Sequence, residues 1–138
     1  MERSPATMHR FASRKSICEI NSEGRITTVH VDIAAHPTDI MNGLMHQSYM
    51  PSDSGMVFLF PQPHSTGFWM KNTLIPLSIA FWDQSFTIIA IMDMEPCEGV
   101  DCPSYTPDKP YMGALEVNKG FFSANGIQVG DKVQVFPK

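Results

Sequence analysis

The sequence predicts a mainly β fold: one antiparallel domain, sandwich-like, jelly-roll-like or barrel-like, with two short helices. Three observations carry that expectation. A chain of 138 residues suits a single compact domain with its own hydrophobic core. Its apolar stretches are short and are separated by turn formers, with eleven Pro and nine Gly over the length. The strand signals follow one another without alternating with long helical ones, which favours an antiparallel sandwich or barrel over a doubly wound sheet. Residues 1–15 read as a basic arm and 16–138 as the single β-rich domain.

Residues 16–20 read as a short strand ending in a polar turn at 21–24. Val29, Val31 and Ile33 alternate with His30 and Asp32, the period of a half-buried strand. His36-Pro37-Thr38-Asp39 then looks like a helix start with Pro in the first turn, and Ile40, Met41, Leu44 and Met45 recur at helical spacing. A helix over about 37–46 follows, with Gly43 inside it costing about 1 kcal/mol relative to Ala. Residues 55–60 form a continuous apolar run bounded by Pro61 and Pro63, which suits a strand buried on both faces. Further strands are expected at 68–70 and 75–82, with Pro76 placing the second at an edge or a strand start. Asp83-Gln84-Ser85 turns the chain into 86–92, completing a hairpin. Residues 95–110 read as a loop with four prolines, and 113–117 as another strand. Asn118 is expected to cap a two-turn helix that Gly126 stops. Val133 and Val135 alternate in the last strand. The expected central sheet comprises 56–60, 75–82, 86–92 and 113–117. The expected core holds Leu44, Phe58, Phe60, Phe68, Met70, Ile79, Phe81, Ile89, Leu115, Phe121 and Val133.

The charge is divided. Residues 1–15 carry Arg3, Arg10, Arg14 and Lys15 against Glu2, a net +3, whereas 16–138 carry six basic against thirteen acidic residues, a net −7. An acidic domain is a poor nucleic-acid binder, because phosphate affinity needs clustered Lys and Arg, so no specific nucleic-acid partner is expected. The arm invites a different contact: it could lie on an acidic neighbour, either another protein or a second copy of the chain. No apolar run approaches the roughly 20 residues of a membrane span, so no membrane partner is expected. The first thirty residues contain no apolar core of a secretion signal. A cytoplasmic location, or a particle assembled in the cytoplasm, is the expectation.

Searches for catalytic and metal motifs return little. There is no GxSxG elbow, phosphate-binding GxxxxGK[ST], GxGxxG, HExxH or EF-hand loop. The five histidines at 9, 30, 36, 46 and 64 are scattered, and each reads as structural or solvent-facing. Cys18, Cys97 and Cys102 leave three arrangements open: reduced thiols, a local Cys97–Cys102 disulfide, or zinc, which would need two further ligands that no CxxC or HxxxH spacing supplies. No cofactor, metal or catalytic centre is therefore expected, and the chain is read as non-enzymatic.

Two segments stand out. In Phe68-Trp69-Met70-Lys71-Asn72-Thr73, large aromatics flank a Lys-Asn pair; in Leu115-Glu116-Val117-Asn118, a carboxylate sits inside an apolar strand. One reading pairs Lys71 with Glu116 as an ion pair and makes Asn118 a helix cap. The other makes Trp69, Lys71, Asn72, Glu116 and Asn118 the lining of an apolar pocket with a polar floor. A solvent-connected cavity at these residues would favour the second.

These blocks also carry a resemblance. Gly43-Leu44-Met45, the run 55–61, the run 68–77, Pro96-Cys97 through Cys102 to Tyr105, and Leu115-Glu116-Val117-Asn118 with Gly120, Asn125-Gly126-Ile127 and Gly130-Asp131 closely resemble domain-of-unknown-function family 192 over about 27–135. The resemblance implies a small, mostly β, jelly-roll-like domain and no established activity. The chain departs from that pattern at Ser78, where the family usually has Asp, and at Asp83-Gln84-Ser85 in place of Asp-x-Gly. The core blocks are thus kept while polar surroundings differ. Together with the basic arm, this points to a structural or interaction subunit of a larger assembly, such as a virion component, with a small-ligand-binding module as the alternative and a hydrolase or thiol enzyme near Cys97 and Cys102 behind both.

Overall fold

The computed structural model describes residues 16–138, and the arm residues Arg3, Arg10, Arg14 and Lys15, with His9, lie outside that range. Nine strands and two short helices follow one another: β1 (Ser16–Ser22), β2 (Arg25–Ala34), α1 (Pro37–Asn42), β3 (Ser54–His64), β4 (Phe68–Trp69), β5 (Leu77–Trp82), β6 (Ile88–Met94), β7 (Ser104–Tyr105), β8 (Tyr111–Asn118), α2 (Phe121–Ala124) and β9 (Lys132–Phe136). Seven strands form one curled sheet in the order β6-β5-β8-β3-β2-β1-β9, and β4 pairs with β7 in a separate two-stranded ribbon. The four strands expected at the centre do sit side by side.

The sheet curls into a half-barrel. Its two edges meet at one end, where Thr87 bridges Lys132, the Ile88 amide donates to the Asp131 carbonyl (2.9 Å) and the Val133 amide donates to the Phe86 carbonyl (2.9 Å). Cys18, Ile20, Val29, Val31, Trp82 and Leu115 fill the curl, with Phe122 of α2 and Ile127 packed among them. A second cluster lies on the opposite face of β3, β5 and β8. Met56, Phe58, Ile79 and Phe81 pack there beneath Leu44, Met50, Phe68 and Met70 from the connecting segments. These three strands are consequently buried on both sides, which accounts for the unbroken apolar run at 55–60. Of the expected core, Phe60, Ile89 and Phe121 are half-buried rather than buried.

The sheet is mixed rather than purely antiparallel. β2 and β3 run parallel, Val31 opposite Gly55 and Ile33 opposite Val57, joined by a crossover that carries α1. Other local readings also change. α1 stops at Asn42 because Gly43 takes a positive φ of 49°, so His46, itself at φ 65°, sits in a turn and not at a helix end. Pro76 lies just outside β5, which is interior, between β6 and β8. α2 is a single turn with Gly120 at its N-cap; Asn118 does not cap it, since its side-chain amide donates to the Met50 carbonyl at 2.8 Å. Within 95–110, Ser104–Tyr105 pairs with β4 and the segment is no plain loop.

The candidate pocket and its buried carboxylate

Glu116 sits in the middle of β8 with its backbone fixed on both sides, opposite Met56 of β3 and Ile79 of β5. The neighbouring Leu115 and Val117 point into the curl. Strand alternation therefore turns Glu116 to the outer face, where connecting segments and the small β4–β7 ribbon provide cover. Those segments leave a cavity of about 720 Å³. One wall is α1 and the turn after it, including Ile40, Met41 and Met45; the other is the β4–β7 ribbon with Phe68, Trp69 and Ser104. The end of β3, with Phe60 and His64, and Tyr111 of β8 complete it.

The ribbon is held where it is by local chemistry. Cys97 and Cys102 are joined in a disulfide, the local bridge among the arrangements open to the three cysteines, and Cys18 is free and buried. Cys97 bridges both Lys71 and Thr73, its amide donates to the Met70 carbonyl (3.3 Å), and its carbonyl accepts from the Asn72 amide (3.0 Å). Asn72 adopts φ 58°, a left-handed turn that Asn tolerates better than most residues, and its carbonyl accepts from the His46 amide at 2.8 Å. These contacts tie the segment after α1 to the ribbon across the cavity.

The lining is mostly aromatic and aliphatic. Phe58 and Phe68 meet edge to face at 4.9 Å, and Phe60 and Tyr111 do so at 5.5 Å. The His64 ring stacks on Phe60 at 4.1 Å and its Nε2 lies 2.5 Å from Thr66 Oγ1. The Tyr111 hydroxyl donates to the Thr66 carbonyl, and burial raises its pKa. Trp69, 44% exposed, stands at the mouth.

Glu116 is the exception in this apolar setting. It is 4% exposed, and no hydrogen bond or ion pair reaches its carboxyl group among the described residues. Burial alone pushes its pKa up to about 8. Uncompensated burial disfavours the charged form, so the group is mostly protonated at neutral pH.

The five expected site residues are thus divided. Trp69 and Glu116 line the cavity. Lys71 does not; it makes no ion pair with Glu116 and instead holds its Nζ 5.6 Å from the centroid of the Trp69 ring. Asn72 is a turn residue, and Asn118 ties β8 to the Met50 and Pro51 carbonyls. Phe60, His64 and Tyr111 are pocket residues that the sequence reading missed. Pro61 and Pro63 made the chain appear to leave the sheet after Phe60. It stays because the pairing skips from Leu59–Gly113 to His64–Tyr111, leaving both prolines in an unpaired bulge where a missing N–H is harmless. Among the described residues no group of three or more His, Cys, Asp or Glu is placed to hold a metal, and no helix is long and apolar enough to cross a membrane.

Fold and cavity together define a mainly β half-barrel with a largely apolar pocket on its outer face. The chain belongs to domain-of-unknown-function family 192, whose model, described as "Uncharacterized ACR", matches residues 18–135. Among solved structures it is similar to a protein of unknown function from Novosphingobium aromaticivorans DSM 12444, at 28% identity over 86% of this chain and 83% of that one, with a TM-score of 0.79. It is likewise similar to a protein from Sinorhizobium meliloti 1021 that bears a provisional transcription-regulator name, at 29% identity over 87% of this chain and 92% of that one, with a TM-score of 0.77. No curated protein matches the chain.

Proposed function

We propose that the domain is a small-ligand-binding module whose ligand occupies the pocket between α1 and the β4–β7 ribbon. The observation that carries this reading is Glu116, a carboxylic acid in an apolar strand that lines a cavity of about 720 Å³ with no hydrogen-bond or ion-pair partner among the described residues. A purely structural Glu would be expected to take an ion-pair partner, and Lys71, the basic residue the sequence offered for that role, lies over Trp69 instead. Cavities of roughly 300–1,000 Å³ with apolar walls and a few polar groups are the usual form of small-molecule sites.

The reading is tested by following the methionine methyl resonances while titrating a panel of neutral, cationic and anionic aromatic fragments. Saturable shifts confined to Met41 and Met45, and abolished by Ala35→Trp at the pocket rim, are the expected result. A folded chain in which no fragment of any charge gives saturable shifts there refutes the reading. The competing role, a non-enzymatic subunit of a larger assembly such as a virion component, rests on the basic arm, and nothing among the described residues favours it. A ligand-responsive regulator would accord with the provisional name of the Sinorhizobium meliloti relative, although the net −7 of residues 16–138 opposes direct DNA contact by this domain.

A further inference from the structure

We infer that the pocket selects an organic ammonium: a molecule with an apolar, preferably aromatic, body and a protonated amine that reaches Glu116. This rests on the ligand-binding reading above and names the chemistry of its ligand.

Charge is the first argument. Among the described residues no Lys or Arg lines the cavity, and besides Glu116 the titratable groups there are His64 and Tyr111. The His64 ring is engaged by Phe60 and Thr66, and the Tyr111 hydroxyl is spent on the Thr66 carbonyl. An anionic ligand would meet no cation in this lining. A neutral alcohol would gain one ordinary hydrogen bond from Glu116. An ammonium would gain a charge-assisted bond in a water-poor site, where such bonds are about twice as strong as neutral ones.

Shape and surface give the second argument. Phe58, Phe60, Phe68, Trp69 and Tyr111 all contribute to the lining. The negative faces of aromatic rings attract cations and reject anions. Lys71 already places its ammonium against Trp69 at 5.6 Å, so one ring of the set holds a cation in the free protein. Glu116 itself is fixed by ladder pairing on both sides of β8, and a carboxylate on a rigid strand can define where the amine goes.

The proton balance follows. The ligand arrives as R–NH₃⁺, the Glu116 carboxyl loses its proton to buffer, and the carboxylate–ammonium pair remains. With burial holding the carboxyl pKa above its ordinary value, the group is mostly protonated at pH 7 and binding of the amine should release a proton to buffer.

The test is isothermal calorimetry of the full chain with three probes that share a phenethyl body: phenethylamine, phenethyl alcohol and 3-phenylpropanoate. The expected order is amine, then alcohol, then acid, with the amine at least tenfold tighter than the alcohol. Heats compared in Tris and phosphate should show net proton release with the amine and none with the alcohol. Glu116→Gln should retain alcohol binding, bring the amine to within twofold of the alcohol and abolish proton release. If the alcohol binds as tightly as the amine, or if Glu116→Gln keeps the preference, the ammonium inference is overturned and the binding module stands. If none of the three probes binds, both fall.

Discussion

Replacing Glu116 with Gln should change the pH dependence of stability more than any other single substitution in this domain. In the folded chain its pKa is about 8, against an ordinary value of 4.5. Between those two values the folded state holds a proton that the unfolded state has lost, so stability falls as pH rises, by about 1.4 kcal/mol per pH unit. Accumulated from the ordinary pKa, the penalty is about 3 kcal/mol at pH 7 and levels off near 5 kcal/mol above pH 8. These are large fractions of the roughly 5–15 kcal/mol that holds a domain together. Gln keeps the shape and removes the titration, so its own effect is a constant offset. Urea unfolding of both proteins at pH 5, 6, 7 and 8 gives the difference directly. The variant should gain on the parent steadily across that range, the gap widening by about 3 kcal/mol or more. Parallel stability curves would mean that Glu116 titrates as an ordinary carboxylate, and the case for an uncompensated group in the pocket would collapse.

Two further outcomes follow from the ribbon and the sheet. Cys97→Ser with Cys102→Ser frees a closed loop of six residues and should cost about 2 kcal/mol in urea unfolding; amide exchange should quicken at Phe68 and Tyr105, which pair across the ribbon, and unchanged exchange there would show that the bridge does not hold the pocket wall. Gly113→Ala should cost about 1–3 kcal/mol, because a Cβ there would stand 2.4 Å from three atoms of the Trp82 indole. An unchanged urea midpoint would show that the two strands separate freely at that point.

Much of the sheet was legible because the apolar runs had the length and turn chemistry of strands, and because runs such as 55–60 and 77–82 are buried on both faces. The direction of β3 was not legible. Side-chain alternation is the same in parallel and antiparallel pairs, and a parallel pair is usually announced by a substantial crossover helix, whereas α1 supplies only six residues. Within the site, Glu116 could be found as a carboxylate embedded in an apolar strand, and Trp69 as a large ring beside polar neighbours. The Lys71–Glu116 pairing was wrong for a definite reason. β4 is only two residues long and the chain turns at Asn72, and Lys71 packs over Trp69 rather than reaching Glu116. Phe60, His64 and Tyr111 converge only through a bulge whose register no one-dimensional pattern records.

The last strand bears on how the domain can be mounted. β9 pairs with β1, and the Lys138 amide donates to Ser16 Oγ at 3.0 Å, so the polypeptide leaves the fold within a few ångströms of where residue 16 begins it. That corner lies on β1 and β9, two and three strands from β3 in the sheet order. A fusion, a surface linker or a neighbouring module attached at either position would hang from the β1–β9 corner, whose residues are not among those lining the cavity. Joining 138 to 16 with a brief peptide and reopening the chain elsewhere would rearrange the order of the sequence around an unaltered cavity.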